Sequence, residues 1–206
     1  MLSLVIDEPV TQQDNIKEYI YLRAIDFLFG GDTVMEIRNK NLEIERTGEV
    51  LTYWYDRPYI SPKLRKQLSA ANVLIVPEED NSSVNGPVFP SGTDELFSFL
   101  KEHCPDGIIP EICIEDGDFR ELDLRHDILY ICKLAVDYII APIIVNILYD
   151  YIKYRIANKR DVTLKTQFII SKPDGSAIKY KYNGPAEQFL DVLEAHISIL
   201  RESSDV

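Results

Sequence analysis

The chain contains few of the residues on which redox, metal-binding or secreted proteins usually depend. Among its 206 residues are three cysteines, three histidines and one tryptophan. Cys104, Cys113 and Cys132 form no Cys-x-x-Cys pair, which is typical of reduced thiols in a cytoplasmic protein. The first residues lack the basic n-region of a signal peptide. No catalytic motif is recognisable, so we expect a cytoplasmic protein that is not an enzyme and has no metal or other cofactor.

Positive charge is also scarce. Lys and Arg number 22 against 34 Asp and Glu, which gives a formal net charge of −12. Nucleic-acid binding needs a basic surface, so this balance argues against it. The acidity is compatible with a basic protein partner, and equally with the simpler role of keeping the protein soluble. Apolar residues make up 46% of the chain, which is enough for a globular core.

The most apolar stretch runs from Leu122 to Arg160, with its core at Leu134–Tyr149. A membrane span needs about 20 apolar residues, and Lys133 and Asp137 each cost about 2.5–3.5 kcal/mol inside a bilayer. Membrane contact is therefore kept only as an alternative. We expect a long buried helix, bent at its internal proline, which favours self-association because one domain hardly covers it. The residues of this core and oligomer helix are Tyr138, Ile140, Pro142, Ile144 and Tyr149.

Residues 1–80 predict an α+β lobe with an antiparallel meander. The turns Asn39-Lys40-Asn41 and Thr47-Gly48 separate three strand-like segments, and Ser61-Pro62 is typical of a helix start. A segment rich in Pro, Gly and Ser at 77–93 marks the boundary of the lobe. The predicted elements are a strand Leu2–Ile6, a helix from Asp14 to Phe29, strands Thr33–Arg38, Leu42–Arg46 and Glu49–Tyr55, a helix from Ser61 to Ala71, and a strand Asn72–Val76.

Residues 81–206 predict a second lobe around the long apolar helix. Pro173-Asp174-Gly175 lies between two alternating segments and predicts a β-hairpin, and Pro185 favours the start of a final helix. The predicted elements are a helix Thr93–His103, a strand Ile108–Ile114, the long helix, hairpin strands Val162–Ser171 and Ala177–Tyr182, and a helix from Pro185 to Arg201. The predicted fold class is α+β: an N-terminal antiparallel meander with helices, and a C-terminal long apolar helix with a hairpin and a terminal helix.

One aromatic segment is the best candidate for a protein-binding site. Trp, Tyr and Arg dominate binding hot spots. If the segment is a strand, one of its sides faces the core. The candidate binding residues are Tyr53, Trp54, Tyr55, Arg57 and Tyr59.

Three other groups favour a structural interpretation. Ser91-Gly92-Thr93 precedes a helix and could bind an anion, although no Lys follows it as in a P-loop. His103, Cys104, Cys113 and His126 fit no zinc-site spacing. A further group of acids matches no EF-hand spacing and predicts a solvated loop. These acids are Glu111, Glu115, Asp116, Asp118, Glu121 and Asp123.

The order of elements from Asp94 to Arg201 resembles that of effector-associated constant components, small bacterial proteins that accompany effectors of conflict systems. The resemblance is carried by Phe99-Leu100, Tyr154-Arg155, Lys159-Arg160, Phe168-Ile169-Ile170, Pro173-Asp174-Gly175, Leu190 and Leu193. It covers about half of the chain, and residues 1–80 have no counterpart. The resemblance implies a non-enzymatic accessory or adaptor in a bacterial defence system, and it transfers no catalytic residue.

Together these observations predict a non-catalytic protein-binding accessory, adaptor or regulator in a bacterial defence or toxin system. Its partner would be a protein, and a basic one would suit the acidic surface. One alternative is an acidic inhibitor or immunity protein acting against a nuclease or other toxin. Another is a membrane-associated effector component that uses the apolar helix.

Overall fold

The computed structural model of the chain describes residues 37–38, 41–79, 86–122, 128–157, 159 and 161–189. The predicted strand Leu2–Ile6, the predicted helix from Asp14 to Phe29 and most of the predicted final helix lie outside these residues. The strands are β1 Ile37–Arg38, β2 Leu42–Thr47, β3 Val73–Val76, β4 Phe89–Pro90, β5 Pro110–Ile112, β6 Glu121–Leu122, β7 Ile128–Tyr130, β8 Lys133–Asp137, β9 Thr163–Ser171 and β10 Ala177–Pro185. The helices are α1 Leu51–Tyr55, α2 Pro62–Leu68, α3 Thr93–His103 and α4 Ala141–Ile156, with a 3-10 turn at Asp116–Asp118 and further helical residues at 186–189, directly after Pro185.

The described strands form one mixed sheet of eight strands and a small sheet of β4 and β6. The main sheet has the order β1-β2-β10-β9-β8-β3-β5, with β7 also beside β9. Antiparallel pairing joins β1 to β2, β2 to β10, β10 to β9, and β8 to β3. Parallel strands need a crossover, and α4 connects β8 to β9 while α3 connects β3 to β5. Strands from either side of residue 80 therefore pair within one sheet.

Helices cover both faces of the central strands, so successive residues of β3 point into different cores. Val73 and Ile75 belong to the core beneath α3 and α4, whereas Leu74 and Val76 belong to the core beneath α1 and α2. All four side chains are buried, which explains why this segment shows no polar alternation.

The alternation in β2 produces one buried and one charged face, as the sequence predicted. Leu42 and Ile44 are buried. On the other face Lys181 of the neighbouring β10 lies 2.9 Å from Glu45, and Lys179 lies 3.8 Å from the same carboxylate. These cross-strand ion pairs lie on the same face of the sheet as α1 and α2. They occupy the part of that face that is covered by charged side chains instead of helices.

The long apolar helix predicted within Leu122–Arg160 is wrong, and with it the predicted fold class. Ile128–Tyr130 and Lys133–Asp137 form the strands β7 and β8, a turn follows at 138–140, and only Ala141–Ile156 is helical. A central strand that is covered on both faces has a continuous apolar sequence, which periodicity cannot distinguish from a buried helix. Pro142 lies in the first turn of α4, where its missing N–H costs nothing, so it starts the helix instead of bending it.

A bulge between β7 and β8 decides which side chains face which core. Tyr130 lies opposite Lys165 of β9, and Leu134 lies opposite Phe168, so the β7–β8 side contains one residue more than β9. An extra residue reverses the alternation of all residues after it. The bulge therefore turns Lys133 away from the core beneath α4 and toward the face that α1 covers.

Other sequence predictions have mixed outcomes. The hairpin of β9 and β10 and the helix start at Ser61 are confirmed, and the Ser61 hydroxyl accepts a hydrogen bond from the Leu64 N–H. The third strand of the meander, Glu49–Tyr55, is wrong, because most of this segment forms α1. Its aromatic residues favour a strand locally, but packing of Trp54 against the sheet outweighs that preference.

Candidate functional site

Charged and aromatic residues gather at the end of the sheet where β3 and β5 finish and β8 begins. Ligand sites of open α/β sheets lie at the carboxyl ends of their strands. Here Glu78 and Glu79 follow β3, and Lys133 is the first residue of β8, which runs antiparallel to β3. The strand-end cluster consists of Trp54, Arg57, Tyr59, Glu78, Glu79 and Lys133.

Glu79 is the most firmly anchored carboxylate of the strand-end cluster. Arg57 donates to it twice, from Nε to Oε1 and from Nη2 to Oε2, both at 2.6 Å. Tyr59 donates its hydroxyl proton to Oε1 at 2.8 Å. Arg57 also donates from Nη1 to the hydroxyl oxygen of Tyr53 at 2.9 Å. This bidentate pair fixes the segment after α1 to the end of β3.

The same contacts change the acidity of Tyr59. Burial, the hydrogen bond to Glu79 and the charge of that carboxylate raise the pKa of the Tyr59 phenol above its ordinary value. The phenol is therefore protonated near neutral pH, where it serves as a hydrogen-bond donor. A general base needs a pKa close to the working pH, so these contacts suit anchoring better than proton abstraction.

Trp54 and Lys133 form the buried side of the strand-end cluster. The Lys133 ammonium lies 5.4 Å from the centroid of the Trp54 ring, within the range of a cation–π contact. It also lies 3.5 Å from Oε2 of Glu78. Trp54 is 1% exposed and Lys133 is 8% exposed, so both side chains are shielded from bulk solvent.

The structure brings the predicted aromatic segment together but divides it between core and surface. Trp54 is a core residue, and Tyr53 is 37% exposed. Tyr55, Arg57 and Tyr59 are half-buried. Binding of a partner by these five residues stays a prediction.

A second candidate surface lies at the opposite end of β8, where the turn enters α4. Ile139 is 77% exposed and Ile143 is 41% exposed, and they lie four residues apart across the helix start. We call this pair the apolar end of α4. Large apolar side chains exposed next to each other are typical of interaction sites.

The backbone at this helix start contributes to its apolar character. A helix N-terminus ordinarily presents unpaired N–H groups that need a cap. Here the Ala141 N–H donates to the Tyr138 carbonyl at 3.3 Å, and the Ile143 N–H donates to the Ile140 carbonyl at 3.0 Å. Pro142 has no N–H. The apolar end of α4 is therefore suited to an apolar partner surface and not to an anion.

The residues predicted for a core or oligomer helix are spread over the turn and α4. Ile144 is fully buried. Tyr138 and Ile140 lie in the turn before the helix, and together with Pro142 and Tyr149 they are half-buried. Their part in self-association stays a prediction.

Sequence reasoning missed the residues that give both surfaces their character. Glu78 and Glu79 have a visible signal, because two acids follow a fully buried strand after one proline. Lys133 has none, because its direction depends on the bulge. Ile139 and Ile143 lie within an apolar run of the sequence. Which residues of that run are exposed depends on the fold, so the sequence alone does not single out these two.

The possible anion site at Ser91-Gly92-Thr93 is filled by the protein's own carboxylate. Glu121 accepts hydrogen bonds from the backbone N–H groups of Thr93 at 3.0 Å, Asp94 at 3.3 Å and Gly92 at 3.4 Å. The positive end of the α3 dipole thus already has its counter-charge.

The cysteines are placed as inert thiols. Cys113 and Cys132 are buried and Cys104 is half-buried. Burial raises the pKa of all three, that of Cys132 to about 12, so none has the thiolate character of a nucleophile. Within the described ranges, no three His, Cys, Asp or Glu residues are grouped to hold a metal ion. His126 and Asp123 lie outside those ranges.

None of the described helices is long and apolar enough to cross a membrane. Comparison of the chain with protein-family models, with curated proteins and with solved structures finds no match.

Proposed function

We propose that this protein is a non-catalytic protein-binding component that holds its partner through the apolar end of α4. The observation that carries the proposal is the exposure of Ile139 and Ile143 at 77% and 41%. Summed, these fractions exceed the full exposure of one isoleucine residue. Covering that surface with a partner contributes about 2–3 kcal/mol to binding, enough for an interface anchor.

The strand-end cluster supports a binding component over an enzyme. Both carboxylate oxygens of Glu79 accept a hydrogen bond from Arg57, and Oε1 also accepts one from Tyr59. Side chains whose hydrogen-bonding atoms are already paired with one another hold the chain in position. They are poorly placed to exchange protons with a substrate.

The biological setting of the proposal comes from the sequence resemblance. An accessory, adaptor or regulator of a bacterial defence or toxin system is the role which that resemblance implies. The net charge of −12 supports a partner with a basic surface, because opposite charges speed encounter before the apolar contact forms.

Affinity capture from the native host with matched variants tests the proposal. The double variant Ile139→Ser, Ile143→Ser removes the apolar end of α4. Tyr154→Ser is the control, because Tyr154 is 73% exposed on the same helix near its other end. We expect a partner that is enriched equally by the wild type and the control, and at least about tenfold less by the double variant. Equal enrichment of that partner by all three proteins would contradict the proposal.

An acidic inhibitor of a basic toxin is a second candidate, favoured by the 3-10 turn after β5. Asp116 and Asp118 are exposed on this turn, and Asp94 is exposed at the start of α3, next to Glu121. For this candidate, affinity for a basic partner falls steeply with salt and with Asp116→Asn, Asp118→Asn. Binding through the apolar end of α4 is nearly insensitive to Asp116→Asn, Asp118→Asn, and its affinity falls less steeply with salt.

A further inference from the structure

Basic residues are concentrated in one helix of an otherwise acidic protein. Residues 57–77 include Arg57, Lys63, Arg65 and Lys66 and no Asp or Glu, although the formal net charge of the whole chain is −12. Three of these four side chains belong to α2, and all three are exposed. We call Lys63, Arg65 and Lys66 the basic face of α2. Because the buried residues of α2 point toward the sheet, these charges face solvent.

The basic face of α2 has more positive charges than nearby counter-charges. Arg65 is paired with Asp56, whose carboxylate lies 2.6 Å from Nη2. Within the residues that the structure describes, neither Lys63 nor Lys66 has a carboxylate at ion-pair distance. Lys66 lies in the last turn of the helix, where the helix dipole favours a cation, but Lys63 lies in the first turn, where the dipole disfavours one. The two ammonium groups therefore form a positive surface that an external carboxylate can neutralise.

An acidic turn borders this surface at the start of α2. The Ser61 hydroxyl donates a hydrogen bond to Glu115, the residue before the 3-10 turn, and Asp116 and Asp118 of that turn are exposed. A nucleic acid carries a negative charge at every phosphate, so the turn and the net charge of the chain would repel its backbone. A short acidic segment of a protein needs to contact only the two lysines, so it fits the small size of the surface.

We propose that the basic face of α2 binds a short acidic segment of a partner protein, whose Asp or Glu side chains pair with Lys63 and Lys66. The helices α1 and α2 cover one face of the sheet and α4 covers the other, so this surface is separate from the apolar end of α4. The inference therefore does not depend on the proposed function. It gives the protein two binding surfaces of different chemistry.

Fluorescence anisotropy with the 206-residue chain tests the proposal. The probe is a short fluorescein-labelled peptide of alternating Glu and Gly, and a peptide of alternating Gln and Gly is its uncharged control. A labelled oligothymidylate of the same net charge represents nucleic acid. We expect saturable binding of the Glu peptide that weakens as salt is added, no binding of the Gln peptide, and weaker binding of the oligothymidylate.

Matched double variants separate the basic face of α2 from the rest of the surface. Lys63→Gln, Lys66→Gln removes the two unpaired charges and should weaken binding of the Glu peptide about five- to tenfold at low salt. Lys101→Gln, Lys153→Gln removes two exposed lysines of α3 and α4 and so changes the net charge equally, but it should leave the affinity within about twofold. Lys and Gln have similar helix propensities, so both double variants should stay folded.

Three results would overturn the proposal. The first is that the Glu peptide does not bind. The second is that the two double variants weaken its binding equally, because the effect would then come from net charge alone. The third is that the oligothymidylate binds more tightly than the Glu peptide, which would indicate a nucleic-acid surface.

Discussion

Replacing Pro142 with alanine distinguishes the strand–turn–helix arrangement from one long bent helix by the sign of the stability change. Within a helix, proline destabilises by about 3 kcal/mol relative to alanine, so its removal would stabilise the protein by that amount. In the first turn of α4 its ring interrupts no hydrogen bond. There the main effect of Pro142→Ala is greater freedom of the unfolded chain, worth about 0.4–1 kcal/mol. Loss of part of the half-buried ring adds a few tenths more.

We therefore expect Pro142→Ala to lower the free energy of unfolding by about 1 kcal/mol. This is a fall of about 2–4 °C in the thermal midpoint for a chain of this length. The assay is urea unfolding followed by circular dichroism. Asn146→Pro is the matched control, because Asn146 is exposed in the interior of α4, where proline should cost about 3 kcal/mol or more. Stabilisation by Pro142→Ala would refute the arrangement.

Three further predictions concern the core and the strand-end cluster. Glu79→Gln removes a charge that accepts three hydrogen bonds and should cost about 2 kcal/mol in urea unfolding; a loss below about 0.5 kcal/mol would refute the anchoring role. Gly184→Ala places a Cβ 2.6 Å from the Asn41 side chain and should lower stability by about 1–3 kcal/mol, whereas Gly117→Ala, with open space around it, should change it by less than about 0.5 kcal/mol. Burial raises the pKa of the Cys132 thiol from 9.0 to about 12, so its contribution to stability is complete below pH 9 and is lost as the pH rises toward 12. Unfolding free energies measured across that range should therefore fall with pH, and a rise would contradict the buried thiol.

Local signals in the sequence were sufficient for the elements that depend on local chemistry. Pro173-Asp174-Gly175 predicted the hairpin, and its turn is held by Asp174, which accepts from the Ser176 N–H, while Gly175 takes a positive φ of 81°. Ser61 likewise predicted the start of α2, where its hydroxyl accepts from the Leu64 N–H at 3.1 Å. In such places a few neighbouring residues determine both the turn and its hydrogen bonds.

The remaining errors come from features that only tertiary structure decides. The run from Lys133 to Asp137 is apolar because it lies in the middle of the sheet, and a single sequence does not separate that cause from a buried helix. The strands β7 and β8 and the helix α4 were merged into one element as a result, and Pro142 was placed at a bend instead of a start. The place of Lys133 in the strand-end cluster could not be predicted for a related reason. The bulge before Lys133 reverses its direction, and pairing with β9 is what reveals the bulge.

The backbone of residues 128–156 tests the central claim most directly, because the apolar end of α4 depends on where β8 ends and α4 begins. The measurement is the Cα and Cβ chemical shifts of this segment, assigned by NMR in the 206-residue chain. We predict extended values for 133–137, a break at 138–140 and helical values for 141–156. Uninterrupted helical values from 128 to 156 would contradict both the fold and the apolar end of α4.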